Sequence, residues 1–288
     1  MSGGNPVKKC IRSPLWSELP QLRALWLDGF PEDTERDVDS FLRRWFRPER
    51  CLAVCRGDRL ESAAHLFRAQ LLQNGQAAGE FLYLYGVVTA RDCRQQGNVH
   101  SLTDGALTLA ASQGLSGIFL VPDVGKEEIY RKCGFSDMGG LCFREVAVSG
   151  AHSPEEWRPC GYETFRVLRD RYLSSLPAAF RWTDASDRFF YEDALQRGRV
   201  LVCGDRYAVL LEHGDGWTIQ EANFPLTDAA VCRLCGALGI RGNVMAAFPA
   251  PEPAPPELRR ECYGQVRLCP GPLSGKQLET GYVNLIGD

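Results

Sequence analysis

The feature that most constrains the fold of this 288-residue chain is an order of elements that occurs twice. Leu22, Leu25, Trp26 and Phe30 recur at helical spacing, and Val38, Phe41, Leu42, Trp45 and Phe46 do so again. Apolar strands follow at 51–55, about 60–72 and 80–88, separated by the turn residues Gly57-Asp58 and Asn74-Gly75. A polar loop, 89–97, leads into a helix over 100–113, with Leu102, Ala106, Leu109 and Ala110 on its apolar face and Gly114 at its C-cap. A strand at 118–121, a short helix at 127–133 and a strand near 141–146 close the first half. Residues 149–161 are rich in Gly, Ser, Pro and charge and read as a linker.

The second half repeats the pattern. Helices are expected at 162–173 and 187–195. Strands are expected at 199–203, 207–213 and 217–224, with turns at Gly204-Asp205 and Gly214-Asp215-Gly216. A helix at 227–238, a strand at 243–248, a Pro-rich loop at 249–256, a short helix at 257–262 and strands at 265–268 and 282–286 follow. Both halves read α-α-β-β-β-α-β-α-β. Arg131-Lys132-Cys133-Gly134-Phe135 has an echo in Arg260-Glu261-Cys262-Tyr263-Gly264. The expectation is a structural duplication of mixed-sheet α/β domains at 1–148 and 162–288, joined by the linker at 149–161.

Composition narrows the class. Apolar residues make up 44% and charged residues 24%, enough for two cores, and the net charge of −3 comes without a basic tail. Nucleic-acid binding draws no support from that balance. Residues 1–10 lack the apolar stretch of a signal peptide, and no window has the run of about 18 apolar residues that a membrane helix needs. The expected setting is cytoplasmic, away from membranes. The twelve cysteines are scattered, many within apolar runs, and read as free buried thiols. Cys232 and Cys235 form a lone CxxC on a helix-spaced segment, with no second ligand pair to complete a zinc site, so no metal is expected.

One segment carries chemistry. Over residues 86–99 a strand ends, a polar glycine-containing loop turns, and a helix begins. Such a junction points several backbone N–H groups at one spot, where the helix dipole adds about half a positive charge. A pyrophosphate suits it: Gly97 allows close backbone approach and Arg94 adds a charge-assisted bond. An ordinary strand–loop–helix turn with a solvated arginine is the competing reading. The segment is not a P-loop, since Gly125-Lys126 lacks both the earlier Gly and the following Ser or Thr, and it holds no GxGxxG.

Residues 86–99 resemble the acyl-CoA-binding motif of the GNAT superfamily of N-acetyltransferases, a strand followed by Arg/Gln-x-x-Gly-x-Gly/Ala and a helix. Arg94, Gln95, Gln96, Gly97 and Asn98 match, and Val99 stands where Gly or Ala is usual. Downstream, Ile118-Phe119-Leu120-Val121-Pro122 and then Tyr130-Arg131-Lys132-Cys133-Gly134-Phe135 resemble the family's next strand and its Tyr-x-x-x-Gly-Phe. The resemblance implies tandem GNAT-like folds and direct acyl transfer from acetyl-CoA, as co-substrate, to an amine of a small molecule or peptide. It also implies that the pantetheine arm lies along Val87, Val88 and Thr89, with the N–H of Val88 facing the oxyanion. Tyr130 becomes the acid that protonates the leaving thiolate. A phenol, with pKa near 10, can donate to a thiolate whose thiol has pKa about 8.5.

A base must take the proton from the amine. Glu80, opening the strand, is one candidate, and a solvated surface glutamate is the competing reading. Tyr83 and Tyr85 alternate with Leu82 and Leu84 and so share a face, as lining of an acceptor groove, as a proton relay or as half-buried strand residues. His100 reads as a helix-surface residue. In the second half, Phe224-Pro225-Leu226-Thr227-Asp228 runs straight into its helix with no cradle for a pyrophosphate. One active and one degenerate half are expected. The alternative is a non-catalytic acyl-CoA-binding or interaction module.

Overall fold

The computed structural model describes residues 8–150, 153–183, 185–214, 216–249, 259–261, 263–273, 278 and 281–284. The chain forms two compact units that interleave in sequence. Unit one takes Met1–Arg68, Glu80–Ser136 and Gln265–Leu273, and unit two takes Ala69–Gly79, Asp137–Gly264 and Ser274–Asp288.

Unit one begins with an edge strand, β1 (Lys9–Arg12), then α1 (Leu19–Gly29), α2 (Glu35–Trp45) and β2 (Cys51–Arg56). Helix α2 starts where the Thr34 side chain accepts from the Asp37 N–H at 3.2 Å, and it buries Val38, Phe41 and Leu42. Glu35 and Asp37 in its first turn and Arg43 and Arg44 in its last complement the helix dipole. Strands β3 (Arg59–Gln73) and β4 (Gln76–Thr89) form a long hairpin, turned at Asn74 and Gly75, which both adopt positive φ. Next come α3 (Asn98–Ser112), β5 (Gly117–Leu120) and α4 (Glu127–Lys132). The sheet runs β1-β2-β3-β4-β5 and continues onto the strand Gly264–Leu268. Its β4–β5 step is parallel.

Unit two holds β7 (Leu141–Val148), which follows the short β6 (Ser136–Met138), then β8 (Arg158–Pro159), α5 (Tyr162–Ser175), β9 (Ala178–Trp182) and α6 (Ala185–Arg197). β10 (Gly198–Cys203), β11 (Arg206–His213), β12 (Gly216–Ala222), α7 (Asp228–Leu238), β13 (Gly242–Pro249) and β14 (Arg259–Glu261) follow. The sheet order is β14-β7-β13-β12-β11-β10-β8, with β12–β13 parallel. Strand β9 pairs with Ala69–Gln73. Both sheets are mixed, and apolar side chains such as Leu210, Val231, Leu234 and Val244 fill one face of this one. Among the described residues, no helix is long and apolar enough to cross a membrane.

Several elements differ from the sequence expectation. Strand β7, expected to close the first half, pairs with β13 from Leu141↔Pro249 to Val148↔Gly242. The strand Gly264–Leu268, here β15, was expected to serve the second half but lies antiparallel to β5 in unit one. Gly117 admits it: a Cβ there would stand 2.5 Å from the Arg267 carbonyl oxygen. The alternation of apolar residues says that a strand needs a sheet, not which sheet receives it. Residues 259–261, expected as helix, form the strand β14 beside Leu141–Phe143. Strands β1, of four residues, and β9, of five, were not among the strands expected. The expected terminal strand reduces to one parallel bridge, Ala179↔Tyr282. Residues 151–152 of the linker, Asp215, the loop 250–256, Cys262 and 285–286 lie outside the described residues.

Unit two is pinned by a buried ion pair. Arg169 and Glu221 are 2% and 0% exposed, and Arg169 Nε and Nη2 donate to the carboxylate at 2.8 and 3.2 Å. Tyr207 and Tyr282 hydroxyls donate to the same carboxylate at 2.7 and 3.2 Å. Removing one partner strands the other charge in a dry interior, a loss of about 3–5 kcal/mol. Arg169→Met is therefore expected to lower unfolding free energy by that amount in a denaturant titration, far beyond an exposed control such as Arg166→Met.

Candidate active site

The parallel pairing of β4 with β5 lasts three rungs: Phe81↔Gly117, Leu82↔Ile118 and Tyr83↔Phe119. β5 ends at Leu120, while β4 runs on to Thr89. Beyond Tyr83 the strands part, and the β5 side of β4 becomes a slot lined by backbone. Within that stretch Gly86 has φ +59, a left-handed kink inside a strand. A Cβ at Gly86 would stand 3.2 Å from the Trp26 indole. Only glycine serves there without strain and without a clash. The kink resets the direction of Val87, Val88 and Thr89. Val88 is buried, its carbonyl accepts from Ser62 Oγ at 2.6 Å, and Ser62 Oγ lies 2.9 Å from Thr89 Oγ1.

The chain then makes a 3-10 turn over Arg91–Cys93, moored by Arg91–Asp28 at 2.7 Å and Arg59–Asp92 at 2.6 Å. In the loop that follows, Gln95 (φ +60) and Gly97 (φ +74) are both left-handed. These two left-handed residues lead the chain into the N-terminus of α3, where exposed backbone N–H groups and the helix dipole favour an anion. Nothing lies within 4 Å of a Cβ built on Gly97, so glycine is needed for its φ and the space above it is open. Arg94 is exposed, with Nε donating to the Thr89 carbonyl at 3.2 Å, and Gln96 donates to the Asp92 carbonyl at 2.9 Å.

Asn98 does a different job from its loop neighbours. It is 2% exposed, and its amide donates to Glu61 Oε2 and to the Cys93 carbonyl, each at 3.2 Å. Lys9 of β1 donates to Asn98 Oδ1 at 2.6 Å and to the Gln96 carbonyl at 3.0 Å. Burial would raise the Glu61 pKa, yet Arg56 at 2.5 Å and Asn98 hold this carboxyl below its ordinary range. A buried carboxylate, a lysine and an amide thus clamp the loop from beneath. Val99, half-buried, is the second residue of α3.

Tyr130 lies on α4, past the end of β5, and its ring packs edge-on against Phe135 at 5.8 Å. Burial, then the nearby Asp123 carboxylate, push its phenol well up from the ordinary value, so it keeps its proton at neutral pH. Asp123 itself is pushed up by burial and then by Glu32. Asp123 and Glu32 were not singled out from the sequence. They stand on loops far apart in the chain, and no spacing rule joins them.

Glu80 is placed elsewhere. It is exposed, 3.5 Å from Arg68, and its carbonyl accepts from the Ser116 N–H at 2.7 Å, before the first parallel rung. At about 3.3 Å per residue, that is roughly 13 Å along the strand from the Leu120 end of β5. The structure therefore does not bring Glu80 to Tyr130. Tyr83 is buried, 5.1 Å from the Phe119 ring, and Tyr85 is half-buried in a cluster with Trp26, Phe41 and Phe67. His100 lies exposed at the start of α3, 3.3 Å from Asp104. Cys232 and Cys235 lie on α7, with the Cys235 thiol pushed up to about 12 by burial and then by Cys232. No group of three or more ligating side chains suited to a metal occurs among the described residues.

Unit two has the same parallel step without the slot. β12 and β13 pair at Trp217↔Val244, Thr218↔Met245 and Ile219↔Ala246. Past that point the Asn284 amide donates to the Gln220 carbonyl at 2.5 Å, and Gln220 donates back to Asn284 at 3.0 Å. The route into α7 has no left-handed residue, and Thr227 caps the helix by accepting from Ala230 N at 3.3 Å.

A family model for an acetyltransferase (GNAT) domain matches residues 11–138. Residues 11–138 are thus similar to a GNAT acetyltransferase domain over somewhat less than half of the chain. The slot, the left-handed loop and Tyr130 all lie inside it. The whole chain resembles solved GNAT structures in fold. A GCN5-related N-acetyltransferase from Kribbella flavida is 19% identical, with a TM-score of 0.68, covering 91% of this chain and 71% of that one. Another from Anabaena variabilis is 15% identical, with a TM-score of 0.71, covering 91% and 73%. A probable N-acyltransferase from Enterococcus faecalis is 15% identical, with a TM-score of 0.66, covering 91% and 72%. No curated protein matches the chain in sequence.

Within residues 11–138, the histidine that a search for a base would reach first is disqualified by its surroundings. His65 is 4% exposed, 4.7 Å from the Phe41 ring and 5.4 Å from Trp26. Burial pushes it down to about 3, so it is neutral at physiological pH. The unfolded chain takes up a proton there as pH falls through about 6.5 while the folded chain does not, so stability drops with falling pH. The wild type is expected to lose about 2 kcal/mol from this residue between pH 7 and pH 5. His65→Leu should flatten that part of a pH series of denaturant melts, and an unchanged slope would show that His65 titrates normally.

Proposed function

We propose that the protein is an N-acyltransferase that moves an acetyl group from acetyl-CoA to a primary amine by direct transfer. The observation that carries this reading is that a backbone-lined slot and a left-handed anion-binding loop lie on one strand, with a protonated tyrosine past the end of the strand beside it. The loop 94–98 suits a pyrophosphate, and the β4 edge at Val87, Val88 and Thr89 suits an extended amide-bearing arm. The acceptor nitrogen attacks the thioester carbonyl, a C–N bond forms, and the C–S bond breaks. Tyr130 gives its proton to the departing sulfur.

Asp123, rather than Glu80, is the carboxylate on Tyr130's side of the slot. We assign it the proton from the amine, directly or through water. Glu32 on the α1–α2 loop adds negative charge beside Asp123, which favours cationic acceptors. The second half serves as a degenerate copy: its parallel step is filled by Gln220 and Asn284, and its helix entry lacks the left-handed residues of the loop.

A thermal-shift titration with acetyl-CoA tests the coenzyme site. A ligand that binds only the folded state stabilises it by about 2.7 kcal/mol at a hundred times its Kd. Wild type should gain that stabilisation and Gly97→Glu should not, because a side chain at a left-handed position strains the loop and a carboxylate repels the pyrophosphate. Absence of any shift in wild type would remove the coenzyme from the reading and leave a non-catalytic module.

The base assignment has its own test. On an amine that turns over, Asp123→Asn should cut kcat by at least tenfold and abolish the acidic limb of the pH–rate profile. That limb should sit above the ordinary Asp range, since the Asp123 pKa is raised and only the ionised form accepts a proton. Glu80→Gln should leave kcat within about twofold. The reverse result would return the role to Glu80.

A further inference from the structure

Strand β1 carries Cys10 directly opposite Cys55 of β2 in antiparallel register. Opposed residues on such a pair share a face, with Cα atoms about 4.5–5.5 Å apart, inside the span of roughly 4.4–6.8 Å that a disulfide bridges. Cys10 is exposed and Cys55 is buried, so an oxidant reaches the first and the second waits beneath it. No other strand pairing among the described residues sets cysteine against cysteine: Cys51 faces His65, Cys142 faces Phe248, and Cys203 faces Arg206. On α7, Cys232 Sγ donates to the Ala147 carbonyl at 3.8 Å.

We infer that Cys10 and Cys55 are a modification site, a thiol pair that peroxide closes into a reversible cross-strand disulfide. The steps balance. The Cys10 thiolate attacks a peroxide oxygen, an S–O bond forms, the O–O bond breaks, and hydroxide leaves to become water. Cys55 gives up its proton and attacks the Cys10 sulfur; an S–S bond forms, the S–O bond breaks, and a second water leaves. The two thiols lose two hydrogens and two electrons, and the peroxide is reduced to two waters. Arg12, two residues along β1, lies close enough to Cys55 to favour its thiolate as attacker, against the burial that opposes it.

The site matters because of what stands beside it. Lys9 precedes Cys10, and from the opposite face of the same strand it holds the Gln96 carbonyl and Asn98. β1 is a four-residue edge strand paired on one side only, to β2. The disulfide makes that docking covalent.

Treatment of the reduced protein with hydrogen peroxide, then alkylation under denaturing conditions, digestion and mass spectrometry tests the pair. The expected result is one linked peptide joining Cys10 to Cys55, abolished by dithiothreitol and absent from Cys10→Ser. Cys10 is exposed, so that variant folds. Oxidised wild type should melt at a higher temperature than the reduced form, and its β1 amides should exchange more slowly, with neither change in Cys10→Ser. Cys10 recovered as a sulfinic acid, or linked to another cysteine or chain while Cys55 remains alkylatable, would overturn the proposal. So would recovery of both thiols unoxidised.

Discussion

Three rungs of parallel hydrogen bonding between β4 and β5, and then none, are the constraint on which the candidate site of unit one turns. A parallel pair that continued would bury its backbone groups and leave a ligand nothing to bond. Here the strands part after Tyr83, and Gly86 bends β4 away under the Trp26 indole. The remaining rungs become an edge that a ligand can pair with. The loop that follows inherits its position from that bend. The clamp of Glu61, Lys9 and Asn98 then fixes it from the protein side, leaving its outer face of N–H groups uncommitted.

The two units show what the same scaffold becomes when that edge is filled. In unit two a parallel step of identical length is followed by side-chain amides of the chain itself, at Gln220 and Asn284. Beneath them, Arg169 and Glu221 form a dry ion pair with two tyrosine hydroxyls. The polar groups of that step bond to one another. Unit one keeps its polar clamp below the loop, and its β4–β5 pairing stops after Tyr83.

What could be read from the sequence was what is local. Residues 94–99 announce a strand–loop–helix junction because glycine and polar residues sit at fixed offsets, and Gly97 does adopt the left-handed φ it allows. The left-handed Gln95 had no such signal, since its side chain does not favour that conformation. Gly86 looked like one more strand residue. Lys9, Glu61 and Asn98 are scattered over the first hundred residues, and only folding joins them. Asp123 stands on a loop that no spacing rule ties to Tyr130, while Glu80 was legible because it lies on β4. The strand-forming character of 141–146 and 265–268 was legible, but the choice of sheet was not, because period-two alternation is satisfied equally by any open edge.

That choice of sheet has a consequence for how the molecule is made. β5 has β4 on one side and acquires its second neighbour from Gly264–Leu268, whose backbone passes so close to Gly117 that a Cβ there would clash. A growing chain carries the loop at 94–98 long before it carries Gly264–Leu268, and during that interval the outer edge of β5 is without the strand that later pairs with it.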